Sequence, residues 1–341
     1  MAGTMDAPPV QYVTTVDGYR IAYSVAGSGR PVVLLPNIWS HIQLFWQTPW
    51  RRSMFEALAS RFQLVHFDAR GQGLSTRGLP TNHSGQDYCL DIEAVVERAA
   101  PGRVVLFARN QFCQVAVKCA VRHPDRLEAL ILSNPAADEY RGFDELMTGR
   151  WDVYTESIAR LTYLPSHPVS IAADFRRAVN QDDHIALVRA FREMDMIEDV
   201  AKISAPTQVI GSSTSPLSSR EFGAQVAAAA PHAQIVSVQD ASGSSAFFSQ
   251  GATLPPAIAA IEHFLESLPE TSASAAQVSG LSEREVQVLR LLAGGKSNGE
   301  IAAELVISPN TVNRHVSNIY AKTGASNRAE ATSFAHRQGL V

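Results

Sequence analysis

Cysteine is scarce in this 341-residue chain. Its three copies (Cys89, Cys113, Cys119) are odd in number and widely spaced, with no C-x-x-C pair. That excludes a disulfide framework and a cysteine zinc site, and it suits a reducing compartment. No stretch approaches ~18 consecutive apolar residues, so no membrane-spanning helix is expected. The N-terminal MAGTMDAPPV lacks the basic start and apolar run of a signal peptide. Charged residues are only 18%, and the net charge of -4 argues against a surface that binds nucleic acid everywhere. Apolar residues, by contrast, reach 45%, which supports a sizeable core and excludes disordered and fibrous classes. The expectation is a soluble, cytoplasmic protein with no metal site and no cofactor.

The length is about twice the ~150 residues of an average domain, so two domains are expected. The composition shifts near Pro269, where PETSASAAQVSG is small and polar with neither helical nor strand period. Residues 269–280 therefore read as a linker between a large domain, 1–268, and a small one, 281–341. From Gln277 onward, seven Lys/Arg stand against five Asp/Glu, a net of plus two, which leaves the remainder at minus six. A mildly basic tail on an acidic body fits one nucleic-acid-facing module.

That tail carries explicit helix-start signals. Ser282-Glu-Arg-Glu285 and Ser297-Asn-Gly-Glu300 are capping boxes, in which Ser accepts from the backbone N–H of Glu and the Glu carboxylate reaches back. Leu281 and Val286 are placed to staple the first box, and Gly294-Gly295 ends its helix. Ser308-Pro309 supplies an N-cap and a first-turn proline for a third helix. Asn327 with Glu330 opens a fourth. In the third helix Val312, Val316 and Ile319 share one face, while Asn310, Asn313, Arg314, Ser317 and Ala321 gather opposite. A short helix after a tight turn, with small polar side chains and one Arg outward, suits a DNA major groove, where Asn pairs with adenine and Arg with guanine. Ser297, Asn298 and Lys322 sit at helix ends, where phosphates are taken. On spacing alone, a solvated amphipathic helix in an interaction module competes closely with groove binding.

The run LSEREVQVLRLLAGGKSNGEIAAELVISPNTVNRHVSNIYAKTGASNRAEA resembles the LuxR-type (GerE-like) helix-turn-helix over the whole module. The resemblance implies that the second and third helices, with Thr311 at the start of the latter, form the DNA-reading pair. It also implies that the fourth is where such modules dimerise. Two departures stand out: Asn313 where the family usually has Lys, and Thr323 where it usually has Leu.

Before the linker, strand-like runs at 19–26, 32–35, 64–67, 104–107, 130–133, 208–210 and 235–238 alternate with helical stretches. The alternation predicts an α/β fold, a mostly parallel sheet covered on both faces, with ligands at the carboxyl ends of the strands. Residues 10–268 resemble an α/β-hydrolase. Phe67-Asp-Ala-Arg-Gly-Gln-Gly-Leu-Ser75 is similar to the family's D-x-R-G-x-G-x-S turn, and Arg122-His-Pro-Asp-Arg126 to the end of its helix after the nucleophile. Residues 134–203, with Trp151, Tyr154, Tyr163 and Phe175, occupy the place of a helical cap. Asp68 and Arg70 read as residues that order their turn, and Cys113 and Cys119 as core.

Hydrolase chemistry needs a nucleophile elbow G-x-S-x-G. By the resemblance that elbow falls at Ala108-Arg109-Asn110-Gln111-Phe112, with Asn110 in the serine's place and Phe112 in that of the second glycine. The acid's place falls on Thr214 or Ser215, the histidine's on Ser244, and the oxyanion loop reads Pro36-Asn37. A triad passes one proton between matched groups, so three missing members predict no acyl-enzyme chemistry and no catalytic residue. The emptied site still has the profile of a ligand pocket: Asn37, Ile38, Trp39, Arg109, Asn110, Gln111, Trp151, Tyr154 and Ser244. Neutral groups suit a carbonyl, hydroxyl or ester, whereas Arg109 pairs with a carboxylate if it faces inward and is a surface side chain otherwise.

The expectation is a ligand-responsive transcription regulator, an inert hydrolase-like domain that binds a small, moderately apolar effector and controls binding of double-stranded DNA, as a homodimer. The rivals are an active hydrolase fused to a DNA-binding module and a constitutive DNA-binding protein whose large domain is a dimerisation scaffold.

Overall fold

Residues 104–108 read Val-Val-Leu-Phe-Ala, an unbroken apolar run, and they form a strand buried on both faces, as a central parallel strand must be. The computed structural model describes residues 5–136, 141–162, 168–212, 220–238, 255–268, 281–305 and 307–337. The expected linker, Tyr163, Thr214, Ser215 and Ser244 lie outside them. The chain divides into two units, one of residues 1–27 and 31–266, the other of residues 28–30 and 267–341.

The first unit holds a sheet in the order β1-β2-β4-β3-β5-β6-β7-β8. Its strands are β1 (Gln11–Thr14), β2 (Arg20–Ala26), β3 (Pro31–Leu34), β4 (Gln63–Phe67), β5 (Val104–Arg109), β6 (Leu127–Ser133), β7 (Thr207–Ser212) and β8 (Ala233–Val238). β2 pairs antiparallel with β1 and β4, and the other neighbours are parallel. The helices before the cap are α1 (Ile42–Gln47), α2 (Pro49–Ala59), α3 (Asp87–Ala99) and α4 (Phe112–Arg122). The expected cap contains α5 (Asp144–Gly149), α6 (Trp151–Thr162), α7 (Pro168–Ala178), α8 (Gln181–Arg192) and α9 (Ile197–Val200); α10 (Arg220–Ala229) and α11 (Pro256–Ser267) follow. The sequence pattern had not separated β1, α1 or α3. β1 is largely exposed and shows no apolar alternation, and α3 carries Asp91 on its buried side.

The turn after β4 is tightly determined. Asp68 is fully buried, and its carboxylate accepts from Ser40 Oγ at 2.6 Å and from the backbone N–H groups of Ile42 and Leu74. Gly73 has φ 52, and a Cβ there would run into that carboxylate, so only glycine closes the turn. Arg70 is buried between Asp91 and Asp17, with Nε–Oδ1 of 2.8 Å to Asp91. Both residues order the turn. Cys113 and Cys119 are buried free thiols, as read from their spacing.

The second unit contains α12 (Glu283–Ala293), α13 (Asn298–Glu304), α14 (Pro309–Thr323) and α15 (Arg328–Arg337). Both capping boxes form, at Ser282/Glu285 and Ser297/Glu300. Ser308 caps α14, which ends at Gly324 with φ 72, a left-handed C-cap. Asn327 Oδ1 accepts from the Glu330 N–H at 3.0 Å ahead of α15. The core is Leu281, Val286, Val288, Leu289, Leu292, Ile301, Ala302, Val312, Val316, Ile319, Ala331 and Ala335. Thr323, in place of a larger apolar residue, turns its hydroxyl to the Ile319 carbonyl at 2.7 Å.

Candidate functional site

Asn110 stands between the end of β5 and the start of α4 with φ 54, one of two non-glycine residues with positive φ among the described residues. The sharp strand-to-helix turn of an elbow is therefore present, and Asn is among the residues that tolerate it. Its N–H donates to the Ser133 carbonyl at 2.9 Å, and its carbonyl accepts from the Cys113 N–H at 3.1 Å. Phe112 takes up the space beside the turn, packed edge-on against Tyr88 (5.4 Å) and Phe191 of α8 (5.0 Å). The side chain that the turn presents is an amide, which is no nucleophile.

Around the turn, buried polar groups gather at the carboxyl ends of neighbouring strands. Asn37 Oδ1 folds back to accept from the Ile38 N–H at 2.8 Å, and the Asn37 carbonyl accepts from Gln72 Nε2 at 3.0 Å. Gln111 is 2% exposed and Gln72 fully buried, and the Oε1 of each has no hydrogen-bond partner among the described residues. Ser133 Oγ, at the end of β6, is in the same condition. Gln72 was missed in the sequence because it sits inside a turn motif read as structural. Arg109 is half-buried; its Nη1 lies 3.8 Å from Met54 Sδ, towards α2. Its charge adds to burial in holding His66 neutral, with a pKa pushed down to about 3.

Trp39, Trp151 and Tyr154 do come together, in a closed aromatic cluster. Trp39 stacks on Phe175 (5.4 Å), and Trp151 stacks on Tyr154 (5.4 Å) and meets Phe175 and His184. Trp39, Tyr154, Phe175 and His184 have no exposed surface. Tyr154 Oη lies 2.8 Å from His184 Nε2. Burial pushes the His184 pKa down to about 3, against a backbone hydrogen bond at Ile38 that acts the other way. Arg51 lies over the Trp39 and Phe45 rings at 4.2 and 4.4 Å, with Asp174 of α7 at 3.8 Å. A cavity of about 400 Å³ among the described residues lies elsewhere, at the amino ends of β5 and β6, between α3 and α4.

In the second unit, α14 buries Val312, Val316 and Ile319 and exposes Asn310, Asn313, Arg314 and Ser317, with Thr311 half-exposed. The outward face is the one read from the spacing. Asn298 Nδ2 donates to Asn313 Oδ1 at 2.7 Å, joining α13 to α14. Ser297 and Thr311 are engaged in the caps. Lys322 pairs with Glu285 at 2.7 Å. Arg328 Nη2 donates to the Leu292 and Lys296 carbonyls, tying α15 to the end of α12.

Residues 279–335 match the family described as bacterial regulatory proteins, luxR family. The chain carries a luxR-family helix-turn-helix domain. Its luxR-family domain is 40% identical over 77 residues to the transcriptional regulatory protein LiaR of Bacillus subtilis, covering 23% of this chain and 36% of that protein. Over 61 residues it is 49% identical to the probable transcriptional regulatory protein NarL of Mycobacterium tuberculosis, covering 18% and 28%. The chain thus spans about a third of the length of these curated relatives. The unit ahead of the luxR-family domain is similar to solved α/β-hydrolases. A hydrolase from Pseudomonas aeruginosa PA01 superposes with a TM-score of 0.59 at 20% identity, over 68% of this chain and 91% of that one. An esterase from Rhodococcus sp. ECU1013 does so at 0.61 and 16%, over 76% and 99%. These likenesses establish the fold, a mixed sheet of α/β-hydrolase type ahead of the luxR-family domain. Among the described residues, no helix is long and apolar enough to cross a membrane.

Proposed function

We propose that the chain is a ligand-responsive transcription regulator in the cytoplasm: the hydrolase-like unit binds a small molecule without turning it over, and the luxR-family domain binds double-stranded DNA as a homodimer. The observation that carries the sensing part is the pair of buried amide oxygens, Gln72 Oε1 and Gln111 Oε1, without partners among the described residues at the strand ends beside Asn110. A buried polar atom left without a partner costs about 1–3 kcal/mol, and a ligand bringing an N–H or O–H donor removes that cost. The ligand class is therefore a moderately apolar molecule with hydroxyl or amide donors. Occupancy acts by favouring one of two arrangements of the protein. In the DNA part, Asn310, Asn313, Arg314 and Ser317 face base edges. Ser297, Asn298 and Lys322 meet phosphates, Lys322 with the ammonium donors beyond the one given to Glu285.

A second reading has its own support. The cluster of Trp39, Tyr154, Phe175 and His184 is filled by its own side chains, which favours a constitutive DNA-binding protein with a scaffold domain. Thermal unfolding of the full chain against a panel of hydroxylated and amide metabolites separates the two. A sensor gains roughly 2.7 kcal/mol at one hundred times Kd, and Gln111→Leu abolishes that gain; no response across the panel favours the scaffold. p-Nitrophenyl ester hydrolysis that disappears in Asn110→Ala would establish the enzyme instead.

A further inference from the structure

Asn298 and Asn313 form a side-chain amide pair across the helix-turn-helix, and the direction of their hydrogen bond has a consequence for base selection. Asn298 is the first residue of α13, directly after its N-cap Ser297. Asn313 lies exposed on the outward face of α14 beside Arg314, and Asn298 is half-buried. The donor is Asn298 Nδ2 and the acceptor Asn313 Oδ1, at 2.7 Å.

An unattached asparagine reads adenine because it presents both halves of its amide edge-on, the oxygen to N6–H and the NH2 to N7. In this pair Asn298 occupies one of the two lone pairs of the Asn313 oxygen and draws that oxygen towards α13, so the NH2 is the group freest to face a base. We infer that the Asn298–Asn313 pair biases Asn313 to read as a donor, which favours a base edge of acceptors, guanine N7/O6 or thymine O4, over the mixed edge of adenine. Asn298 is then the specificity-determining residue at that position, acting through Asn313. The inference rests on the reading that α14 enters the major groove.

The chemistry makes the effect of each substitution directional. Asn298→Ala releases the Asn313 oxygen and restores the edge that suits adenine. Asn298→Asp puts a carboxylate opposite Asn313, which can only accept, so the amide turns round. The Asn313 NH2 then donates to the introduced carboxylate and the Asn313 oxygen faces the groove, where it suits cytosine N4–H or adenine N6–H. The carboxylate also repels phosphate, which lowers affinity for all sequences alike, so base preference and not affinity is the readout.

The experiment is selection of the full-length protein on a duplex pool randomised across the bound site, for wild type, Asn298→Ala, Asn298→Asp and Asn313→Ala. Thermal unfolding confirms that each variant folds. The expected result is a single base position at which wild type enriches guanine or thymine. Asn298→Ala shifts that position towards adenine, and Asn298→Asp towards cytosine or adenine, each by roughly tenfold, while Asn313→Ala flattens it. The inference is overturned if folded Asn298 variants enrich the wild-type base, or if Asn313→Ala leaves the profile unchanged. A wild type that enriches no duplex at all overturns the groove-binding reading, and this inference with it.

Discussion

Tyr154 Oη and His184 Nε2 lie 2.8 Å apart with neither side chain exposed, joining α6 to α8. The ring of His184 is boxed by Trp151 and Phe175, at 5.3 and 5.2 Å. In such surroundings the imidazolium cannot be hydrated, so the folded protein holds this histidine neutral. The same holds for His66, between Phe45 and Phe55 on the strand side.

Acid should therefore unfold the hydrolase-like unit through these two groups. Their folded pKa values, about 3, lie below the unfolded value of 6.5. The stability that neutrality contributes is thus complete above pH 6.5 and is lost as pH falls towards 3. Over that window each group steepens the decline by about 1.4 kcal/mol per pH unit. Urea unfolding between about pH 7.5 and 4.5, which spans the upper part of that window, should show His66→Phe with a visibly shallower acid decline. An unchanged slope would mean that His66 is protonated in the folded state.

The elbow predicts an ordering that chemistry alone does not. Because Asn110 has φ 54, Asn110→Ala forces a Cβ-bearing residue without a helping side chain into the left-handed region, at a cost of about 1 kcal/mol. Asn110→Gly should be close to neutral. Denaturant midpoints at neutral pH measure both, and equal midpoints for the two variants would contradict the strained turn.

Lys322 has a structural partner as well as a place at a helix end. Glu285 is 4% exposed at its side chain, so Lys322→Ala leaves a nearly buried carboxylate unpaired. With Lys322 itself 43% exposed, solvent screening limits the loss to about 1 kcal/mol. Differential scanning calorimetry should register it as a lower Tm, and the salt slope of DNA binding should fall by roughly one as a phosphate contact is removed. A lower Tm with an unaltered slope would leave the residue purely structural.

Arg314 is exposed on α14 beside Asn313. Arg314→Ala should relax selection at one base position, by about 1–3 kcal/mol of discrimination, with little change in salt dependence. Competition between duplexes differing at single positions measures it, and a uniform loss across sequences would instead make Arg314 a backbone contact.

Local signals were legible wherever one residue and its near neighbours settle the matter. Ser282 with Glu285 and Ser297 with Glu300 state their helix starts outright, and the spacing of Val312, Val316 and Ile319 picks the buried face of α14. The elbow could be placed at Asn110 because strand, turn and helix are contiguous there, and the positive φ agrees. Gln72 and His184 escaped notice: each meets its surroundings through partners far along the chain, Asn37 for one and Tyr154 or Ile38 for the other.

The amino-acid order by itself determined two kinds of chain, an alternating α/β body with an asparagine at its elbow and a small helical tail with an outward polar stripe, since periodicity and capping act within a few residues. Only the tertiary structure decided that Trp39, Trp151, Tyr154 and Phe175 close on one another, that Gln72 and Gln111 keep buried acceptors without partners among the described residues, and that Asn298 holds Asn313. Those outcomes depend on which side chains from distant segments arrive at the same place, where distance and direction, not residue type, govern a hydrogen bond.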